Sequence, residues 1–552
     1  MPTLQFEESS RPPKPLLPRR KQLLNHIIDG IAHVRPEQIW AKVPRSDRNY
    51  ADGYRKITYR LFANAINGMA FWLEERLGKA EDFPTVAYFG LWDPRYIILL
   101  LGAIKAGFKV VFPSPTYGIT GLLNLLERLD CQIILHASGN FKIISQLKEQ
   151  SGFGFHEVPT LSTFLEGIYP HYAFQKTFET SREDPFLVVH TSGTTGNPKP
   201  LVYTHDWTAS WIQQNQLTAP EGFCSIEHLA HGVEVCAIGP PNHVSNLFPN
   251  LFGAIPNDMV VLFPLPDAPY NTDTLRSMIE HNNPSLIIAP PHVITGVAQD
   301  AALLQSVLSR ASMIGFGGGP LSPEIGSTLT ERFRLWSIYG TSETGLVHKI
   351  TPSSSWDREA WNSIMPHPRD NIEFRPVSGD AYEAVVVRNE EFEEEQPVFK
   401  IYTDLREWST RDIFRPDPYR EGFWIYQGRI DDIIILANGN TVNPLGYEQK
   451  LSQHPLVIQA IMYGSGRPQP ALIVELEQSE RVIGQGHGYL LEQIWSAITT
   501  CNDFFPPQAS VSSSHVLFTM PDKPLPRAPK GAVQRPSTFK LYQRELDKLY
   551  DS

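Results

Sequence analysis

"HTSGTTGNPKP", residues 190–200, follows directly on the apolar run "FLVV" of residues 186–189. A short apolar run that empties into glycine, serine and threonine reads as a strand ending in a polar loop. Thr191, Ser192, Thr194 and Thr195 supply hydroxyl donors, while Gly193 and Gly196 let backbone N–H groups approach an anion. Lys199 adds a point charge suited to a β- or γ-phosphate. The spacing does not match the G-x-x-x-x-G-K-[ST] phosphate loop. Two readings therefore stay open on these residues alone, a phosphate cradle and a polar turn at a strand end. Lys199 sits between Pro198 and Pro200, and a following proline biases it away from helical backbone.

Outward from this stretch the chain alternates strand-like and helix-like segments. "VAYFG", "DPRYIILLLGAIKAG", "KVVF", "GLLNLLERLD" and "CQIILHA" succeed one another between residues 86 and 137, the grammar of a parallel α/β layer. The same grammar returns at 256–315, where "DMVVLFP" and "SLIIAP" flank the helix-like "NTDTLRSMIEHN". After about residue 370, "YEAVVVR", "VFKIYT" and "GFWIYQG" read as antiparallel strands, and "NEEFEEEQ" at 389–396 as a solvated turn between them. Beyond "GRIDDIII" at 428–435 the pattern becomes helix, strand, strand, helix, closing on the amphipathic "STFKLYQRELDKLY".

The totals bound the class. At 552 residues two or more domains are expected, and 41% hydrophobic with 19% charged residues fits a folded, soluble-type chain. A net charge of −11 without a basic stretch argues against nucleic acid as partner. Four cysteines without a C-x-x-C pair argue against a disulfide scaffold or zinc knuckle and fit a reducing compartment. The N-terminus lacks the apolar core of a signal peptide, and the apolar run 96–112 is interrupted by Lys105 and Lys109. That run reads as a buried helix leading into a strand, so no membrane span and a cytoplasmic location are expected.

Three further segments carry candidate chemistry. In "IYGTSETG", residues 338–345, Glu343 follows a tight Tyr-Gly turn and two hydroxyls and could ligate Mg2+, against the alternative of an exposed strand-end Glu. "GFGGGPLS", residues 315–322, has three consecutive glycines that admit a flat ring against the backbone or simply make a tight turn. In "STRDIF" (409–414) and "YQGRIDD" (426–432), an Asp can accept both hydroxyls of a ribose and an Arg can support the same sugar.

Together and in this order the segments resemble the adenylate-forming superfamily of acyl-CoA synthetases, luciferases and peptide-synthetase adenylation domains. The superfamily's [YH]-T-S-G-[ST]-T-G-x-P-K matches His190 to Lys199, and its Y-G-x-[ST]-E matches Tyr339 to Glu343. Its T-x-D matches Thr410 to Asp412, and its G-R-x-D matches Gly428 to Asp431. "GRIDDIIILANGNTVNP" and "LPRAPKGAVQR" are most similar to fungal synthetase-like adenylation domains.

The resemblance implies an α/β fold, α+β overall. A large N-terminal body of parallel α/β sheets with a small β-barrel-like part would span 1–427, a hinge 428–431, and a small mobile α+β lid domain 432–552. It implies ATP and Mg2+, activation of a carboxylic acid to an acyl adenylate with loss of pyrophosphate, and transfer to CoA or a phosphopantetheinyl carrier. Thr191, Ser192, Gly193, Thr194, Thr195, Gly196 and Lys199 would hold the β,γ-phosphates, with Glu343 on the metal. Gly317, Gly318, Gly319, Tyr339 and Gly340 would flank adenine, Ser342 would face the α-phosphate, and Asp412 and Arg429 would hold the ribose. Asp431 would be the pivot, and Gly439, also readable as an Asn-Gly hairpin turn, would face the pantetheine arm.

The acid pocket follows in the same way. "PPNHVSNLF" at 240–248 occupies the place where amino-acid activators carry an Asp, and offers His243 and Asn246 instead. The expected acid therefore lacks an α-amino group and is aryl, α-keto or similar. His243 is alternatively a packed core residue. Pro291, Ile314 and Phe316 are the expected apolar walls. Where relatives end in glycine followed by a catalytic lysine, Gly531 is followed by Ala532. Lys530 is the candidate replacement, alternatively a solvated lysine.

No carrier-attachment motif follows, which fits a C-terminal truncation or a stand-alone monomeric acyl-CoA ligase of fatty or aryl acids. The competing functions are a non-catalytic nucleotide-binding remnant and a luciferase-like oxidase, the latter without a sequence feature in its favour.

Overall fold

The computed structural model describes residues 21–114, 117–139, 141–150, 152–192, 198–353, 356–477, 484–527 and 533–551. The run 186–189 lies within strand Pro185–Ser192, the fifth strand of a six-stranded sheet. The sheet order is Gly154–Glu157, Ile133–His136, Thr85–Phe89, Lys109–Val111, Pro185–Ser192, Pro198–Thr204. All neighbours are parallel except the last pair, an antiparallel hairpin. Parallel strands covered on both faces carry unbroken apolar runs, and Thr85–Phe89 is buried at every residue.

The helix between two of these strands is Arg95–Ala106, followed by strand Lys109–Val111. Gly107 joins them at φ +87, a left-handed conformation that glycine adopts without Cβ strain. Lys105 is buried here because its ammonium is bonded to Asp29 at 2.9 Å and Asn67 at 2.8 Å. A membrane span would leave that charge in hydrocarbon. No helix among the described residues is long and apolar enough to cross a membrane.

The second sheet has seven strands, in the order Arg334–Ile338, Met313–Gly317, Leu286–Ala289, Glu234–Ala237, Val260–Leu262, Ile39–Pro44, Tyr54–Thr58. It is parallel but for its last pair. One continuous apolar core packs both sheets and the helices around them.

After residue 360 the architecture turns antiparallel. Five strands run in the order Ser363–Ile364, Trp424–Arg429, Glu407–Pro416, Ala381–Val387, Ile372–Ser378. The first and last strands do not pair with each other, so this part is an open sheet and not the expected barrel. "VFKIYT" is a short helix, Val398–Ile401, rather than a strand. Its adjacent apolar residues Val398 and Phe399 are both buried, against Val386. A strand would have put them on opposite faces.

The acidic run 389–396 is also less solvated than its composition suggests. Glu395 is only 4% exposed and accepts from Gln213 Nε2 at 3.0 Å and Arg369 Nη2 at 3.4 Å.

The C-terminal part encloses its own core around Tyr447, Ile494 and Ile498. Its sheet pairs Val457–Tyr463 antiparallel with Ala471–Leu476, which pairs parallel with Val516–Phe518. The closing segment is two helices, Arg535–Leu541 and Gln543–Tyr550. Tyr542 breaks them with non-helical backbone, its ring fully buried and its hydroxyl bonded to the Lys523 carbonyl.

Candidate active site

The strand–turn–strand unit of Pro185–Ser192 and Pro198–Thr204 sets one side of a cleft of about 2520 Å³. Thr191 and Lys199 face each other across the hairpin and both line that cleft. Gly193, Thr194, Thr195 and Gly196 lie outside the described residues, as does the side chain of Ser192. The two prolines now have a structural reason. Pro198–Thr204 is the edge strand of its sheet. Residues two apart turn their backbone groups the same way, so an edge strand dispenses with both N–H groups where a central strand could not.

His190 ends the apolar run and locks the entry to the loop. Its Nδ1 is 2.8 Å from the Tyr117 hydroxyl and its Nε2 is 3.0 Å from the Phe112 carbonyl. The carbonyl can only accept, so Nε2 carries the proton and Nδ1 accepts from Tyr117. Burial, the larger influence, lowers the His190 pKa and keeps the ring neutral.

Strand Arg334–Ile338 delivers Tyr339 and a tight turn in which Gly340–Thr341 pairs with Gly345–Leu346. A Cβ on Gly340 would lie 2.3 Å from the Gly345 carbonyl oxygen and 2.8 Å from Leu346 Cα, so the turn admits glycine there. The turn is gripped through its backbone. Tyr203 donates to the Ser342 carbonyl at 2.6 Å, Trp207 Nε1 to the Glu343 carbonyl at 3.1 Å, and Glu343 N–H to Thr341 Oγ1 at 3.2 Å. The Glu343 carboxylate faces the cleft with no hydrogen-bond or ion-pair partner among the described residues. No group of three or more potential metal-ligating side chains occurs among the described residues. A lone carboxylate fits Mg2+ held mainly by phosphate oxygens and water.

Asp412 and Arg429 are cross-strand partners in the antiparallel sheet. Asp412 is 5% exposed, and its Oδ2 accepts from the Tyr339 hydroxyl at 2.9 Å. Its Oδ1 faces Arg429 Nη1 at 4.0 Å. Burial pushes the Asp412 carboxyl up to about 6, with Arg429 and the Tyr339 hydrogen bond pulling the other way. Thr410 shapes the approach, donating to the Ala384 carbonyl at 2.7 Å and accepting from Asp412 N–H at 3.1 Å.

Gly317, Gly318 and Gly319 form the opposite lip. Gly318 has φ +87, and a Cβ on Gly317 would meet the Ile338 carbonyl at 3.0 Å. Pro291, the first residue of helix Pro291–Gln299, lines the cleft beside Gly319. Ile314 and Phe316 are not cleft walls. They occupy one face of Met313–Gly317 and turn into the main core, Phe316 against Trp361 with ring centroids 5.7 Å apart.

His243 is not a packed core residue: it caps the short helix Val244–Leu247 and accepts from Ser245 N–H at 3.1 Å while lining the cleft. Asn246 is 3% exposed and its Oδ1 is buried without a hydrogen-bond partner among the described residues.

Asp431 lines the cleft's rim, bonded to Arg411 and 3.9 Å from Arg429. Lys530 lies outside the described residues, but the bridge Arg527–Val533 that brackets its segment lines the same cleft. Gly439 sits at φ +82 in the turn joining Ile434–Ile435 to Thr441–Val442, and does not line the cleft. Contacts that the sequence reading missed are Tyr117, Tyr203, Trp207 and Arg411. Only Arg411 has a local signature, a non-glycine φ of +61 in the T-R-D segment, which composition does not reveal.

The chain matches known proteins over most of its length. The profile of the AMP-binding enzyme family matches residues 37–383, and that of the AMP-binding enzyme C-terminal domain matches 431–552. The chain is 31% identical over 548 residues to a carboxylic acid reductase of Neurospora crassa, covering 97% of this chain and 51% of that protein. It is 25% identical over 571 residues to an adenylate-forming reductase of Aspergillus terreus, covering 97% of this chain and 50% of that one. The chain thus spans about half the length of these curated relatives. An anthranilate CoA ligase solved in complex with anthranoyl-AMP superposes with a TM-score of 0.71 at 17% identity, covering 97% of this chain and 98% of that one. With its cleft walls supplied by the same ordered segments that the sequence marks out, the chain belongs to the AMP-binding, adenylate-forming enzyme family.

Proposed function

We propose that the chain activates a carboxylic acid lacking an α-amino group, converting it with ATP to an acyl adenylate and pyrophosphate. The observation that carries this reading is the meeting of Thr191, Lys199, Glu343, Asp412 and Arg429 on one cleft whose acid-side segment offers His243 and Asn246 but no carboxylate. A carboxylate oxygen attacks the α-phosphorus and pyrophosphate leaves, so the protein's work is alignment and charge neutralisation. Lys199 and Thr191 hold the departing phosphates. Asp412 and Arg429 anchor the ribose, and Tyr339 and the 317–319 glycines fix the base. Glu343 would hold Mg2+, which when bound neutralises phosphate charge. Gly193, Thr194, Thr195, Gly196 and Ser192 complete the phosphate cradle, and Lys530 takes the part of the family's catalytic lysine at the reacting carboxylate.

In this reading residues 1–427 form the adenylating body, 428–431 the hinge and 432–552 a lid that turns to admit a thiol, CoA or a carrier's phosphopantetheine. The chain would then act as an acid–thiol ligase. Reductases among its relatives raise a second fate, reduction of the activated acyl group. The test is ATP–pyrophosphate exchange across aryl, α-keto and fatty acids, with hydroxylamine trapping of the adenylate and product analysis after adding CoA. Exchange dependent on one acid class supports the proposal. Nucleotide binding with no exchange across the panel would replace it with the non-catalytic reading.

A further inference from the structure

Glu227 and Lys349 line the cleft along with Trp211 and Phe248, and neither has a role in the nucleotide reading above. Lys349 follows the Tyr339–Glu343 turn by a few residues and is 2% exposed. Its ammonium donates to the Ser337 carbonyl, the one acceptor bonded to it among the described residues. An ammonium has three donors, and a buried donor left without an acceptor is destabilising. Glu227 Oε2 accepts from the Lys349 backbone N–H at 3.1 Å and the Ser225 hydroxyl at 3.5 Å. The Glu227 carboxylate thus lies against the Lys349 backbone, both residues line the cleft, and no ion pair within 4 Å joins their side chains among the described residues.

We propose that Lys349 and Glu227 form a specificity subsite that reads a hydroxyl carried at the far end of the acid substrate. A hydroxyl both accepts, here from the Lys349 ammonium, and donates, here to the Glu227 carboxylate. A second carboxylate would satisfy Lys349 but repel Glu227, and a bare alkyl end would leave both charges desolvated and unserved. Burial lowers the Lys349 pKa and raises that of Glu227, each opposed by the charge of the other. Such a pair keeps one donor and one acceptor even if a proton passes between its members. Asn246, a buried amide whose oxygen has no hydrogen-bond partner among the described residues, lines the same cleft.

This inference rests on the acid-activating reading above, and its test separates the two. Pyrophosphate exchange is measured for matched acids with and without a distal hydroxyl, first in the wild type and then in Lys349→Met and Glu227→Gln. The expected wild-type result is a kcat/KM at least about tenfold higher for the hydroxylated member, since a site built to bond a hydroxyl rejects its absence. Each substitution should cut that preference about tenfold or more, mainly through KM for the acid, with KM for ATP little moved. If no acid supports exchange, the acid-activating reading fails. Exchange with no hydroxyl preference in the wild type, or a preference that survives both substitutions, overturns the subsite alone. The wild-type comparison decides the matter even if Lys349→Met does not fold.

Discussion

Replacing Asp412 with Asn separates stability from the ribose-binding role proposed for it. Asp412 is buried with its carboxyl pushed up to about 6, against an ordinary value of 3.8. A carboxyl whose folded pKa lies above its unfolded one favours the folded state at low pH. That advantage is lost as pH rises from about 4 through about 6, and above that the ionised group costs roughly 3 kcal/mol. Asn removes this charge while its carbonyl can still accept from Tyr339. Asp412→Asn is therefore expected to melt no lower than the wild type at pH 8.

Nucleotide binding should move the other way. Loss of hydrogen bonds to a charged acceptor costs about 1.5–3 kcal/mol, an affinity loss of about 10- to 150-fold. If only ionised Asp412 accepts from the ribose hydroxyls, a carboxyl titrating near 6 also predicts about tenfold weaker ATP binding at pH 5 than at pH 7. Calorimetry with ATP and with 2′,3′-dideoxy-ATP checks this, because phosphate titration is common to both ligands. An equal pH slope for the dideoxy analogue, or Asp412→Asn binding within twofold of wild type, would refute the reasoning.

Three other perturbations probe separate parts of the site. Gly340→Ala forces a Cβ to within 2.3 Å of a backbone carbonyl; a melting loss on the order of 1–3 kcal/mol with collapse of exchange is expected, and near wild-type melting and rate would contradict the fit. Asp431→Pro should leave acid-dependent pyrophosphate exchange largely intact while impairing thioester formation, as separate assays of the two half-reactions would show; equal losses would count against a hinge. Lys530→Ala should depress single-turnover adenylate formation far more than it alters ATP affinity, and an unchanged rate removes Lys530 from the chemistry.

Much of the parallel α/β body was legible because its signal is local. Buried parallel strands read as short apolar runs, and Thr85–Phe89, Ile133–His136 and Leu286–Ala289 stand where such runs predict them. "VFKIYT" misled because a four-residue helix and a short strand have the same composition, and the burial of Val398 beside Phe399 is decided by Val386 from a distant strand. At the site, glycines, hydroxyls and acids announced themselves. Ile314 and Phe316 did not, since which face of a strand looks into a cleft depends on the neighbouring layer. Tyr203 and Trp207 were invisible for a similar reason: their partners are the Ser342 and Glu343 carbonyls, more than a hundred residues away.

That last contact has a mechanical consequence. Tyr203 lies on the same strand as Lys199, and Trp207 on the helix that follows, stacked on Tyr203 at 3.7 Å. The two side chains clamp the turn that carries Glu343, so the backbones that bear the lysine and the carboxylate belong to one stiff frame. Whatever the C-terminal part does during turnover, the two anchor points keep their spacing, and only the side chains beyond them adjust. A phosphate group placed against one is thereby gauged by the other, and Tyr203→Phe would loosen that gauge without removing either charge.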